Sequence, residues 1–182
     1  MKNISNFTTV IIPSFLSTLL LSFNLFAEQR CETGDETTPS ENFITEGISS
    51  DYVIDSTTGL AWARCVVGQT WDATNEMCVG EALRLTWQQA LQTATAYSAG
   101  NFDDWRVPNV KELASIVERT CVEPAANQAI FANTPDERHW TSTPNTSANK
   151  RDEAWSVAFY NGRIDSNDKN ADYYVRMVRY AE

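Results

Sequence analysis

Four cysteines, Cys31, Cys65, Cys78 and Cys121, all following an apolar N-terminal segment, constrain this chain more than any other feature. Residues 1–27 read as a secretory signal. Lys2 supplies the positive start, residues 10–25 are largely apolar, and Ala27 puts a small residue at the cut. An uncleaved anchor is the alternative, disfavoured because Pro13, Ser14, Ser17 and Thr18 interrupt the apolar run and lower its hydrophobicity. Behind an export signal an even cysteine count predicts disulfides, with three possible connectivities. Cys65 and Cys78 flank a short polar loop, residues 66–77, so closing that pair costs little and stabilises by about 3 kcal/mol. Cys31 with Cys121 then ties the arm to the end of a helix, a loop worth roughly 4–5 kcal/mol. Zinc is the rival use of four thiolates, but there is no C-x-x-C and one histidine, His139.

Residues 28–182 have the length of one domain with its own core. Residues 28–50 are polar and read as an extended N-terminal arm pinned by Cys31, ahead of a domain at 51–182. The chain has 14 basic and 24 acidic residues, and cleavage would remove one basic residue, Lys2. Such a balance repels phosphates and argues against nucleic acid as a partner. No stretch after residue 27 is long and apolar enough to span a membrane.

Residues 52–55 and 60–64 predict a hairpin about a turn at 56–59 that ends in Gly59. Thr86 caps a first helix with Gln89 in the reciprocal position, and Trp87, Ala90, Leu91, Ala94 and Tyr97 recur at helical spacing until Gly100 stops it. Asn109 caps a second helix with Glu112, and Val110, Leu113, Ile116 and Val117 form its apolar face. The remainder predicts strands. Residues 140–143 end at Pro144, and 154–160 lead into Asn161-Gly162, a type I′ turn signal. Residues 173–179 alternate, with Tyr173, Val175 and Met177 on one face and Tyr174, Arg176 and Val178 on the other. Residues 145–153 and 166–172 read as polar loops. The fold class is α+β, two helices segregated from a twisted antiparallel sheet, with long loops and two disulfides.

Several motifs then appear in order. Asp55-Ser56-Thr57-Thr58-Gly59-Leu60-Ala61-Trp62 opens the series, and Gly68-Gln69-Thr70-Trp71-Asp72 lies between Cys65 and Cys78. Thr86-Trp87-Gln88-Gln89-Ala90-Leu91 and Asp104-Trp105-Arg106-Val107-Pro108-Asn109-Val110-Lys111-Glu112-Leu113 follow. Phe131-Ala132-Asn133-Thr134-Pro135, Trp140-Thr141-Ser142-Thr143-Pro144, Ala154-Trp155-Ser156-Val157 and Tyr174-Val175-Arg176-Met177 complete it. From about Tyr52 to Arg179 the chain resembles the Lcl C-terminal domain family of secreted bacterial proteins, long described as a domain of unknown function. The resemblance implies a C-type-lectin-like fold related to the sulfatase-modifying-factor group. It also implies, for the adhesin that named the family, adhesion through sulfated glycosaminoglycans.

On physical grounds the motif residues Asp104, Trp105, Arg106, Pro108, Asn109, Trp140, Trp155 and Arg176 read as architecture. The tryptophans, Trp62 and Trp87 included, are expected to pack in the core. Asp104 and Arg106 are expected to bond loop backbone. Trp71, in the polar loop, is the best candidate for a sugar platform. No catalytic constellation is present, and no cysteine follows Cys121, so the paired-cysteine chemistry of the formylglycine-generating relatives does not carry over. An enzyme is the least favoured class. Calcium is conceivable at Asp103, Asp165, Asp168 and Asp172, although the spacing lacks the Gly and terminal Glu of an EF-hand loop. A sulfated polyanion wants clustered cations. The lysines after residue 27 are Lys111, Lys150 and Lys169, and convergence of Arg163, Arg176 and Arg179 on one sheet face is the remaining route to a basic patch. The expectation is therefore an exported, nonenzymatic binding module, periplasmic, cell-surface or extracellular. It would recognise a glycan or an envelope protein through a loop face bearing Asp103, Asn167, Asp168 and Asp172. A structural or assembly component of an envelope or surface-fibre system is the alternative.

Overall fold

A computed structural model describes residues 28–47 and 49–181. The expected signal at 1–27 lies outside the described residues. Among the described residues eleven strands and two α-helices follow in the order β1 (Arg30–Cys31), β2 (Phe43–Ile44), β3 (Tyr52–Asp55), β4 (Leu60–Ala63), β5 (Gln69–Asp72), β6 (Met77–Gly80), α1 (Trp87–Ala94), α2 (Val110–Ser115), β7 (Cys121–Val122), β8 (Arg138–Pro144), β9 (Glu153–Ala158), β10 (Arg163–Asp168) and β11 (Val178–Tyr180). Instead of one sheet, the described residues form four small ones: β11-β4-β3-β2, β10-β9-β8, and the ribbons β1-β7 and β5-β6. Every pairing among them is antiparallel. The α+β class holds.

The β3–β4 hairpin is buried on both faces, and strand alternation sorts its side chains into two cores. Val53, Leu60 and Trp62 join Leu113, Ile116 and Val117 at the end of α2, with Phe131, Phe159 and Val178. Tyr52, Ala61 and Ala63 join Ala90 and Ala94 of α1, with Trp105, Trp140, Val175 and Met177. The two helices thus serve different cores. The expected alternation of the C-terminal segment is kept, but only residues 178–180 form a strand there. Tyr173 and Tyr174 make single bridges to Leu85 and His139.

Both capping boxes form as expected. Helix α1 ends earlier than its apolar spacing predicts. Thr95, Ala96 and Tyr97 bond back three residues, a tightened last turn, and Tyr97 leaves the helix to meet Trp105 edge-on. The β9–β10 connection is a four-residue loop, 159–162, rather than a two-residue type I′ turn. Gly162 alone takes the left-handed conformation there, at φ 75°, and a Cβ on it would meet Val117 Cγ1 at 2.7 Å. The polar stretch 66–77 is not simply a loop, since it carries β5 and the start of β6. Residues 166–168 likewise belong to β10.

Both expected disulfides are present, Cys31–Cys121 and Cys65–Cys78. The arm is more integrated than its composition suggests. Phe43 is buried edge-on against Phe131, β2 extends the four-stranded sheet, and β1 pairs with β7 beside Cys121. Among the described residues no helix is long and apolar enough to cross a membrane.

Candidate functional site

The expected loop face does not assemble as one site. Residues 145–153 and 166–172 do meet: Asn145 Nδ2 donates to Ser166 Oγ at 3.0 Å, and Lys169 N to the Asp152 carbonyl at 2.9 Å. Within this patch Asn167, Asp168 and Asp165 are occupied by neighbouring groups. Asn167 donates to Ser156 Oγ at 3.0 Å and accepts from the Tyr173 hydroxyl at 3.2 Å. Asp168 accepts from the Asn170 backbone and amide at 2.8 and 3.0 Å. Asp165 holds Arg138 and Arg163, whose hydrogen bonds and charge keep its carboxyl below the usual range. Asp172 is exposed. Asp103 lies elsewhere. It lines a hollow of about 400 Å³ with Leu91, Ala94 and Thr95 at the C-terminal end of α1, whereas the Lys169 carbonyl receives the Trp87 N–H at the helix start. An eight-residue helix, about 12 Å, therefore separates them. Among the described residues no three His, Cys, Asp or Glu side chains are grouped so as to hold a metal ion.

Two hollows that share Gln69 lie at the disulfide hairpin β5–β6, and Trp71 lines the smaller. The larger, about 510 Å³, is bounded by Cys78, Pro124 and Pro135, with Gln69, Gln128 and Asn133 supplying amides and Glu123 and Asp136 carboxylates. The smaller, about 270 Å³, contains Cys65, Trp71, Tyr97 and Asp51. Gln69 lines both, and its buried Oε1 has no hydrogen-bond partner. Gly68 makes this geometry possible: at φ 96°, a Cβ would stand 2.4 Å from the Glu81 carbonyl oxygen. Trp71 pairs across the ribbon with Cys78, and the Arg64 guanidinium stacks 4.4 Å from its ring centroid. Burial pushes the Tyr97 hydroxyl up, so it stays a neutral donor. Sequence reasoning chose Trp71 but missed Gln69, Gln128, Asn133 and Asp136; Gln69 and Asn133 lie in two of the ordered motifs, but nothing local marks any of the four as a wall of a site, and they converge only through tertiary structure.

The motif residues act on each other. Arg106 makes a bidentate pair with Glu112 at 2.7 and 2.8 Å, and Glu112 also accepts the Asn109 N–H at 2.8 Å. Arg179 Nε donates to Asp104 at 2.5 Å and holds that carboxyl low. Asp104 and Arg106 therefore form ion pairs rather than the expected bonds to loop backbone. Trp105, Trp140 and Trp87 donate their indole N–H groups to the Ala99, Leu85 and Thr141 carbonyls. Trp62, Trp105 and Trp140 are fully buried, while Trp87 and Trp155 are half-buried. The Pro108 carbonyl accepts from Ser142 N at 2.7 Å. Arg176 is fully buried, donating to the Ala63 and Arg64 carbonyls and to Thr134 Oγ1, and burial pushes it down to about 9. Arg163 is exposed and Arg179 is held by Asp104, so the three arginines do not converge on one face. His139 is also fully buried; burial and the neighbouring Arg176 charge push it down to about 3. A family model for the Lcl C-terminal domain matches residues 51–179, the span these pairs tie together.

The chain belongs to the Lcl C-terminal domain family. No curated protein matches it. In this Lcl C-terminal domain the residues lining both hollows all lie in the matched span, yet one wall is braced from outside it. Gln29 donates to the Pro124 and Ala126 carbonyls at 2.7 Å each, and Arg30 pairs with Glu123 at 2.9 Å.

Proposed function

We propose that this domain is an exported, nonenzymatic binding module that recognises a glycan or a surface protein at the β5–β6 hairpin of a C-type-lectin-like scaffold. One observation carries the reading. Two adjoining hollows present amides, carboxylates and an aromatic ring around a disulfide, a mixture suited to recognition of a polyhydroxylated surface. Two disulfides support an oxidising compartment. The lectin-like assignment is supported by small antiparallel sheets, two helices and disulfide-pinned connections. His139, sealed in the core and held neutral, is poorly placed for acid–base work, which supports the nonenzymatic reading. Calcium is left out of this proposal, because the carboxylates considered for it are engaged or dispersed.

An assembly role in an envelope or surface-fibre system is the second reading. Met77 and Val79 on β6, with Leu83 after it, expose aliphatic surface beside the hollows, and such surface suits a protein partner. A glycan array run beside cross-linking to purified envelope fractions distinguishes the two. Saturable glycan binding supports the first, stoichiometric capture of one identified surface component supports the second, and turnover of any arrayed substrate overturns the nonenzymatic reading.

A further inference from the structure

The chemistry of the hollows goes further than the class of ligand. Resting on the glycan reading above, we infer that the two hollows are successive subsites for one neutral oligosaccharide, and that the site rejects sulfated chains. The argument begins with charge. No lysine or arginine lines either hollow. Of the carboxylates there, Glu123 is paired with Arg30, Asp51 accepts from Ser49 Oγ at 2.9 Å, and Asp136 is exposed with no hydrogen bond or ion pair among the described residues. Besides Arg30, two cations stand near without serving the site. Arg64 is stacked on Trp71. Arg176 is fully buried behind Thr134, whose hydroxyl accepts from it and donates to the Phe131 carbonyl at 2.6 Å, so that hydroxyl has no proton left for a ligand. A sulfate entering here would meet unpaired negative charge in a chain that carries a net charge of −10.

A neutral sugar fits the same walls. Its hydroxyls donate, and carboxylates are the strongest acceptors for them. Asp136 supplies one. The Gln128 Oε1 is already engaged by the Asn133 N–H at 3.0 Å, which leaves its amide N–H groups to bond sugar oxygens. The Gln69 amide makes no hydrogen bond in this state, and its unpartnered carbonyl oxygen can accept a ligand donor if the amide turns. Trp71 and Tyr97 then provide aromatic surface in the smaller hollow for the apolar face of a second sugar ring. Gln69 and the Cys65–Cys78 bridge are common to both hollows, so a ligand filling both crosses them. That predicts recognition of a chain, not of a monosaccharide.

The test is calorimetric titration of the full chain with chitotetraose, maltotetraose and an N-acetyllactosamine tetrasaccharide, the sulfated form of the last, and the matching monosaccharides. The expected result is that a neutral tetrasaccharide binds at least tenfold tighter than its monosaccharide, and that the unsulfated lactosamine chain binds at least tenfold tighter than the sulfated one. Asp136→Ala and Gln69→Ala, which remove no hydrogen bond, should each weaken binding about tenfold without moving the melting temperature. Trp71→Ala should erase most of the gain from chain length, and Asp103→Ala should change nothing. Tighter binding of the sulfated chain, falling as salt rises, overturns the inference while leaving a glycan-binding module standing. So does neutral-sugar binding that is indifferent to Asp136 and Gln69. No binding of any tetrasaccharide overturns the inference, and a blank glycan array beside it overturns the glycan reading as well.

Discussion

Glu118 shows how much one side chain can organise. It is buried and accepts from Thr37 N, Thr38 N, Thr38 Oγ1, Thr120 N and Thr120 Oγ1 at 2.7–3.1 Å. Burial alone would raise its pKa, but the hydrogen bonds from Thr120, Thr38 and Thr37 hold it at about 2. A folded value below the ordinary 4.5 stabilises the protein above about pH 4.5, and that contribution, about 3 kcal/mol, is lost as pH falls toward 2. His139 acts earlier and in the same direction. Its folded value is depressed, so below about pH 6.5 the unfolded chain takes up a proton that the folded one refuses. Urea titrations are therefore expected to show stability falling in two stages, first below pH 6.5 and then below pH 4.5. Glu118→Gln should lower stability by about 2–3 kcal/mol at pH 7 and flatten only the second stage. Neither role was legible in the sequence. His139 read as a lone histidine before a strand, and nothing near Glu118 in the chain announces Thr37 and Thr38.

Elements were legible where their causes are local. Thr86 with Gln89 and Asn109 with Glu112 form capping boxes because partner and backbone lie within three residues. Thr86→Ala is expected to cost about 1 kcal/mol in denaturant midpoint analysis. Asn109→Ala should cost more, up to about 2 kcal/mol, since its side-chain Oδ1 accepts both Lys111 N and Glu112 N, whereas the Thr86 hydroxyl accepts one backbone N–H. The β9–β10 loop was misread because the Asn-Gly signal is weaker than the register set by Ala158 opposite Arg163. Gly162→Ala there is expected to destabilise by about 1–3 kcal/mol, through the left-handed backbone and the approach of Val117. The ends of α1 and of the C-terminal strand were misjudged for the same reason: apolar spacing continues past the point where neighbours take over the backbone bonds.

At the scale of the molecule, the arm and the disulfides share one task. Cys31–Cys121 closes 90 residues of sequence separation and Cys65–Cys78 closes 13, so loss of the first should cost more, roughly 4–5 against about 3 kcal/mol. With Cys31→Ser and Cys121→Ser together, hydrogen exchange is expected to rise first at residues 29–36 and only later at Thr37 and Thr38, held by Glu118, and at Phe43, which stays packed on Phe131. Simultaneous loss of protection across the whole arm would show that Phe43 and the Glu118 bonds do not hold it without the bridge. By itself the sequence determined the class, the family, the helix caps, the β3–β4 hairpin, the alternation of the last segment and, by loop length and elimination, the disulfide pairing. Each of these rests on neighbours a few residues apart or on a pattern repeated along one element. Only the tertiary structure decided that Asp104 meets Arg179, that Asp103 and Asp168 stand at opposite ends of α1, and that Gln69, Gln128 and Asp136 wall one hollow. A polar residue in a loop looks the same in sequence whether its lone pairs are free or taken, because the partner that takes them is brought in from far along the chain by the packing of the cores.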